Sequence, residues 1–570
     1  MAMRKLMPRI FAVVLSLFYG IIAGGQILGF AGLYKSFLAI PLSLGLAGVV
    51  FFIYLCSSNQ FFDTFDHATG SPMNTELSAA FIICGLLLYI LLVFYPLVHW
   101  PLSPVTTELP WDAGLYHFPK AAEMISTGSA WDLSISYGEY PFGYESLIAM
   151  SLLINHGGWL VGTVHAFISL FLFLGMGVLI FRRTKIPHAP VFLLLGILFL
   201  GYQLTRNFDS NIWWIFWPQI TTIGKNDVLL AAALLAVILY TPTSRQGSFF
   251  PFGLAMVSMI AVSIKPNAAL VVMFAWAGML FFLWRSKQLR VYWKQLLLSG
   301  FVMLPGGLWI IRNLVAQGML FNPASMNLSS WSIASNLTNP YFHKYIPQHL
   351  YIIAAIIVLA ALISVFKRSL RFDVIIALVL LVTFALTPAT AFFGSTQERA
   401  QIEWRFGLAL LAYILILLLA LFEPVILIAY RWIARTNFVA IPLALLVLSF
   451  GGWCIWSQRD LLATIPENEI VLHDQYRQPV GVKGYYSAYD YIQKNIRNSV
   501  VIIENGLPYY LYDPGFTNSV TRSRPADYSV YLQTPWINEG GYPKSLDQPE
   551  WAQTWLLVYE DTEGRVYKHR

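Results

Sequence analysis

Long apolar runs alternate with short polar segments along most of this chain. A bilayer crossing needs about 20 mostly apolar residues. At that length the pattern predicts helical spans near 10–31, 36–56, 77–98, 157–181, 189–205, 226–242, 249–264, 267–284, 295–312, 348–366, 373–392, 405–429 and 436–457, thirteen in all. The rhythm breaks twice. Between Trp100 and His156 lies a loop rich in aromatic and acidic residues, and beyond Ser457 no run is long enough to span. In that tail Tyr486 to Ile496 predicts a short amphipathic helix. Val500 to Ile503 predicts a buried strand closed by Asn505-Gly506, and Trp555 to Tyr559 a second strand. The expectation is a polytopic α-helical membrane protein of about 13 transmembrane helices with a small C-terminal extracytoplasmic α/β domain. It divides into two N-terminal helices and a loop (1–76), a transmembrane core with a large outer loop at 100–156 (77–457), and the outer domain (458–570).

Composition agrees. Only 11% of the 570 residues are charged and 57% are hydrophobic, against about 25% charged in soluble domains. The mean hydropathy is +0.61. No small-residue cleavage site follows the first run, so it is expected to stay as a span rather than leave as a signal peptide. The net charge of +7 is no nucleic-acid signal, because most Lys and Arg flank apolar runs. Cys56, Cys84 and Cys454 have neither metal-ligand spacing nor a disulfide framework and are expected to be packing residues. No internal repeat or low-complexity segment is evident.

The basic residues orient the spans. Arg4, Lys5 and Arg9 precede the first, and Arg182, Arg183 and Lys185 follow the fourth. Arg245, then Arg285 to Lys294, then Lys367, Arg368 and Arg371, then Arg431 and Arg435 follow the sixth, eighth, tenth and twelfth. Alternating spans put every cluster on one side, which the positive-inside rule makes cytoplasmic. The loop Ser57 to Glu76 carries no Lys or Arg and is neutral to the count. The expected place is the inner (plasma) membrane, with the N-terminus cytoplasmic and the C-terminal domain extracytoplasmic. Sequons at Asn327 and Asn336 fall on an outer loop.

The chemistry-bearing residues then gather outside. Trp111-Asp112-Ala113-Gly114-Leu115-Tyr116-His117 follows the third span, and ionisable groups at a membrane face are functional candidates. Asp112 fits a helix N-cap and a catalytic carboxylate equally. The helix it would open, Ala113 to Ser126, would lie along the interface with Leu115, Phe118, Ala122 and Ile125 on its apolar side. Tyr116, His117 and Glu145 are candidate substrate contacts on the same loop. Asp227 opens the sixth span; a capping role is the more frequent one for Asp at that place. Two such carboxylates could share a divalent cation, Mg or Mn, or divide into base and ligand. Lys265, Arg312 and Arg405 are cations on the side opposite the orienting charges, and would suit a phosphate. Each alone would also serve as an interfacial anchor.

In this order the residues resemble the GT-C class of integral membrane glycosyltransferases, bacterial relatives of protein O-mannosyltransferases and lipid A aminoarabinose transferases. Trp111-Asp112-Ala113 with Tyr116-His117-Phe118-Pro119 is similar to the first-loop motif. Tyr140-Pro141-Phe142-Gly143-Tyr144-Glu145, Gly224-Lys225-Asn226-Asp227, Ser263-Ile264-Lys265 and Trp309-Ile310-Ile311-Arg312-Asn313 with Asn322-Pro323 resemble later segments. The resemblance implies a GT-C-like core and a sugar donor on a polyprenyl phosphate. It implies transfer, with inversion, to a hydroxyl of an acceptor glycan, lipid or protein at the outer face. Asp112 would be the base or a metal ligand, Asp227 its support, and Lys265 and Arg312 the holders of the leaving phosphate. The chain departs from the pattern in carrying two spans before the first-loop motif and no second carboxylate beside Asp227. Two other classes compete: a transporter or flippase for a lipid-linked substrate, and an envelope scaffold that binds through its outer domain. A transporter would carry paired charges at the midplane between repeats; here the ionisable residues sit at one face.

Overall fold

The computed structural model describes residues 2–63, 83–98, 112–135, 137–155, 159–184, 186, 223–242, 249–320, 347–387, 404–435, a few positions between 442 and 453, 487–503, 507–521, 525–532, 550–560 and 564–570. The expected spans at 189–205 and, for the most part, 436–457 lie outside them, as do Trp111, both sequons and 322–323.

The apolar runs become helices. They are α1 (Ala2–Ala31), α2 (Ser36–Asp63), α3 (83–98), α4 (Phe118–Thr127), α5 (Gly143–Ile154), α6 (Trp159–Arg183) and α7 (Asp227–Tyr240). Then follow α8 (Pro251–Ile264), α9 (Ala268–Arg285), α10 (Leu289–Gln317), α11 (Pro347–Phe366), α12 (Leu370–Ala385), α13 (Leu408–Leu421) and α14 (Glu423–Arg435). Among the described residues, five helices are long and apolar enough to cross a bilayer, or six if a bent pair is one span. The count of thirteen is therefore not reached among them, and the reason is physical. α7 and α8 have 14 residues each and are buried almost all round. At 1.5 Å per residue they extend about 21 Å, less than the hydrocarbon core. A helix that is apolar on every face and short belongs inside a bundle. The expected span 405–429 also differs: the chain turns by 67° between α13 and α14, at Phe422. Small residues allow close contact where α1 crosses α5, since a Cβ on Gly25 would lie 2.4 Å from Ser146 Cβ.

The tail folds as expected from its pattern and adds strands that the pattern did not reveal. Helix α15 (Ser487–Asn495) precedes β1 (Val500–Ile503), β2 (Ser519–Thr521), β3 (Tyr528–Leu532), β4 (Trp555–Glu560) and β5 (Gly564–His569). The sheet order is β2-β1-β3-β5-β4, parallel across β2, β1 and β3 and antiparallel across β3, β5 and β4.

Helix α4 is the wedge between bundle and sheet. The interfacial helix expected from Ala113 to Ser126 is instead a π-helical turn, Ala113–His117, running into α4. Phe118 through Ile125 are all buried, including Lys120 and Glu123. Its polar face meets the C-terminal domain rather than water. Glu123 accepts hydrogen bonds from the Tyr512 hydroxyl at 2.8 Å, the Ser519 hydroxyl at 2.8 Å and Val520 N–H at 3.3 Å. The Ser126 hydroxyl donates to Asn518 O at 2.8 Å, and the rings of Phe118 and Tyr509 stand 5.1 Å apart. Burial raises the Glu123 carboxyl above its ordinary value near 4.5 although these three donors pull it down.

Candidate active site

Asp112 stands where the chain enters the π-helical turn, at the N-cap position, yet its side chain caps nothing. Its Oδ2 instead takes Lys225 Nζ at 2.8 Å and Arg405 Nη1 at 2.5 Å. Lys225 reaches it because of Gly224. That residue has φ +81, and a Cβ there would lie 2.3 Å from Ala113 Cβ, so the turn before α7 presses directly on the turn that holds Asp112. Arg405 arrives from the helical turn Trp404–Gly407 that opens α13.

Asp227 is the first residue of α7, and the N-cap before it, Asn226, makes no side-chain cap bond. It is buried and pairs with Lys265 Nζ, from the extended residue that ends α8. The two ion pairs share a floor. Lys265 Nζ lies 4.5 Å from the centroid of the Phe406 ring, and Arg405 Cζ lies 4.8 Å from it. Among the described residues two carboxylates thus face three cations from four separate segments. Burial would push the Asp112 carboxyl up, but Lys225 and Arg405 outweigh it and hold it well below the usual carboxylate range.

Beside this cluster lies a second buried one. His117 Nδ1–H donates to Glu145 Oε1 at 2.8 Å, and Lys120 Nζ is 3.3 Å from the same oxygen. The tautomer follows from the carboxylate acceptor. Burial lowers the His117 imidazole below its ordinary value and outweighs the pull of Glu145, so the ring is neutral at neutral pH. Tyr116 packs against the second cluster: its ring centroid is 4.1 Å from that of His117 and 4.8 Å from that of Tyr137. Tyr137 sits in the left-handed region, with φ +55, in the loop over the site.

Of the residues singled out in the sequence, Asp112, Asp227, Lys265 and Arg405 come together, with Tyr116, His117 and Glu145 alongside. Arg312 does not join them. It is 1% exposed, and its guanidinium donates to Ala130 O and Gly138 O at 2.8 Å each, to Tyr140 O at 3.2 Å and to Asn313 Oδ1. Its fork is spent on holding the loop 130–140 in shape. Lys225, Lys120 and Phe406 were not marked as site residues by sequence reasoning. A signal existed for Lys225, a cation two residues before Asp227 in the same turn. For Phe406 there was none, because an aromatic at a helix start is ordinary packing.

Directly below the charged cluster opens a narrow cleft. Asp227, Asn267, Arg405 and Phe406 form its head. Leu230, Ala231 and Leu234, one and two turns along α7, continue it between Leu380 and Phe384 of α12 and Leu410 of α13.

No protein-family model matches this chain, and no curated protein does. Among solved structures it is similar to that of ArnT from Cupriavidus metallidurans bound to undecaprenyl phosphate. That likeness has 14% identity and a TM-score of 0.44, over 87% of this chain and 98% of that one. It is also similar to ArnT from the same organism in the apo state, with 14% identity and a TM-score of 0.41, over 85% of this chain and 96% of that one.

Proposed function

We propose that this protein is an integral inner-membrane glycosyltransferase that moves a sugar from a polyprenyl-phosphate donor to an acceptor hydroxyl at the outer face. The observation that carries this reading is the cleft: a charged head at Asp227 and Arg405, with Lys265 paired to Asp227 beside it, continued by apolar walls between α7, α12 and α13. That shape suits an amphiphile with one anionic phosphate and an isoprenoid chain.

The chemistry follows from the charges. The acceptor O–H loses its proton to the Asp112 carboxylate as its oxygen bonds the anomeric carbon. The bond from that carbon to the phosphate oxygen breaks, and the electron pair leaves on the phosphate. Attack opposite the leaving group inverts the centre. Arg405, Lys225 and Lys265 meet the charge that develops on the phosphate. As it stands, Asp112 is a poor base, because two cations hold its proton affinity down. A donor phosphate competes for those same cations, and Asp112 becomes basic as they turn to it. Binding the donor therefore arms the base.

The donor set does not fit Mg or Mn. Asp112 and Asp227 are already neutralised by three cations, and among the described residues no three His, Cys, Asp or Glu converge. A hard divalent ion wants oxygen ligands with uncompensated charge. No step here runs through a metal.

The test is to reconstitute the protein with a panel of undecaprenyl-phosphate-linked sugars and follow both sugar transfer and movement of the lipid between leaflets. Transfer without leaflet exchange supports the reading. Leaflet exchange without transfer would establish the transporter instead.

A further inference from the structure

The loop 130–140 carries an aromatic ring that the chemistry above leaves unused. Tyr137 has φ +55. That region favours glycine and asparagine, and a bulky side chain there strains the backbone. Such a conformation persists where the surroundings fix it, and here α10 does so. Arg312 donates to Gly138 O at 2.8 Å and to Tyr140 O at 3.2 Å, and Asn313 Nδ2 donates to Glu139 O at 2.7 Å. The three carbonyls that follow Tyr137 are thus held from one helix. Gly138 also lies so close to Leu133 that a Cβ there would be 2.7 Å from the Leu133 Cα.

The ring held in this way is not spent on the core. Tyr137 is 46% exposed. Its centroid stands 4.8 Å from that of Tyr116 and 5.5 Å from that of Tyr140, so part of the ring is braced and the rest is open. The charged cluster is within electrostatic reach. Partial burial and then the Asp112 charge raise the Tyr137 hydroxyl above its ordinary value near 10, and the Arg405 charge pulls it down. Tyr116 feels Asp227 in addition. Tyr137 therefore stands on the Asp112 side of the cluster. An interfacial anchor is the ordinary role of Tyr at a membrane face. An anchor needs neither a strained backbone nor a seat beside Asp112.

We propose that the open part of the Tyr137 ring is the platform on which a pyranose ring of the acceptor stacks, so that the acceptor is a glycan or glycolipid rather than a protein hydroxyl. The inference rests on the transfer reading, with Asp112 as the base. A pyranose presents a face of C–H groups, and the negative face of an aromatic ring attracts those weakly positive hydrogens. Stacking leaves the sugar's hydroxyls free, one of them for Asp112. A serine or threonine side chain has no such face to offer. The donor's phosphate belongs to the cleft that Asp227 and Arg405 head, so a ring on the Asp112 side meets the incoming sugar. Holding that ring rigid spares the cost of ordering it when the acceptor binds.

The test uses the full-length protein in detergent and saturation-transfer NMR. The probes are the methyl pyranosides of glucose, galactose, mannose and N-acetylglucosamine, with N-acetyl-threonine amide as the non-sugar probe and undecaprenyl phosphate as the donor-side probe. At least one pyranoside should bind the wild type, with the strongest transfer to its ring C–H protons. Tyr137→Ala should weaken that binding about tenfold, the worth of one aromatic contact. Tyr137→Phe should bind as the wild type does, because the ring and not the hydroxyl makes the contact. If Tyr137→Ala does not fold, Tyr137→Gly suits the left-handed backbone and takes its place. Undecaprenyl phosphate should bind the wild type and all variants equally. Pyranoside binding should persist when an undecaprenyl-phosphate-linked sugar is already bound. A wild type that binds no undecaprenyl phosphate fails the transfer reading. One that binds it but takes up no pyranoside, or holds pyranosides equally well as Tyr137→Ala, overturns this proposal alone. So does displacement of the pyranoside by the lipid-linked sugar, which would put Tyr137 under the donor, or an equal loss of N-acetyl-threonine amide.

Discussion

Lys225 Nζ sits 2.8 Å from Asp112 Oδ2 although 113 residues of chain separate them. With Arg405 on the same oxygen, Asp112 rests as a paired anion rather than a free base. Removing one cation should show what the pair does. Asp112 has a depressed value in the fold, so its pairing stabilises the protein above the unfolded carboxyl value near 4 and is lost as pH falls through the depressed value. Lys225→Met should therefore move the acid limb of both stability and activity to higher pH. A pH series of thermal unfolding and transfer rate checks this; unmoved limbs would mean that Lys225 does not govern the charge of Asp112.

Gly224 makes that contact possible, and its replacement should undo it. Gly224→Ala places a Cβ 2.3 Å from Ala113 Cβ on a backbone with φ +81. Strain of that kind costs about 1–3 kcal/mol. The variant is expected to unfold at a lower temperature and to lose transfer, whereas wild-type values for both would rule out the tight approach.

Arg312 is expected to act on stability first. Five donor contacts tie it to the loop 130–140 and Asn313, so Arg312→Ala should cost roughly 3 kcal/mol or more. Arg312→Lys should not rescue it, since an ammonium cannot span three carbonyls as a planar fork does. Denaturant unfolding of the three proteins decides. If Arg312→Ala were fully stable but no longer bound undecaprenyl phosphate, Arg312 would belong with the phosphate after all.

The C-terminal domain should dock more firmly on α4 as pH falls. Glu123 has a raised value in the fold, so its contribution is complete below the ordinary value near 4.5 and is lost as pH rises through the raised one. Hydrogen exchange across β2 should slow between neutral and mildly acidic pH. Glu123→Gln keeps an acceptor for Tyr512 and Ser519 and should flatten that dependence.

Much of this arrangement was legible in the residues, for physical reasons that also mark where legibility ends. Runs of about 20 apolar residues have few fates other than a helix in lipid or in a bundle core. Both ends therefore came out close to those of α6 and α9, while the expected spans fell inside the longer helices α1, α2 and α10. Whether a run crosses lipid or is sheathed in protein depends on its neighbours, and α7 and α8, buried and 14 residues each, are shorter than a lipid-facing span needs. The break at Phe422 had a visible signal in Glu423-Pro424, outweighed by the apolar residues on both sides. Strands β2, β3 and β5 were missed because short strands owe their form to cross-strand partners. Asp112 and Asp227 could be located but not assigned, since a cap and an ion pair look alike in sequence. Only the convergence of Lys225, Lys265 and Arg405 separates them.

The most direct test of the account is sugar transfer by Asp112→Asn measured beside undecaprenyl-phosphate binding on the same purified protein. The amide keeps the shape of the side chain and cannot take the acceptor's proton. The account predicts that lipid binding persists while transfer falls by about 10²–10⁴-fold, the usual worth of a general base. Transfer at the wild-type rate, with binding intact, would contradict it.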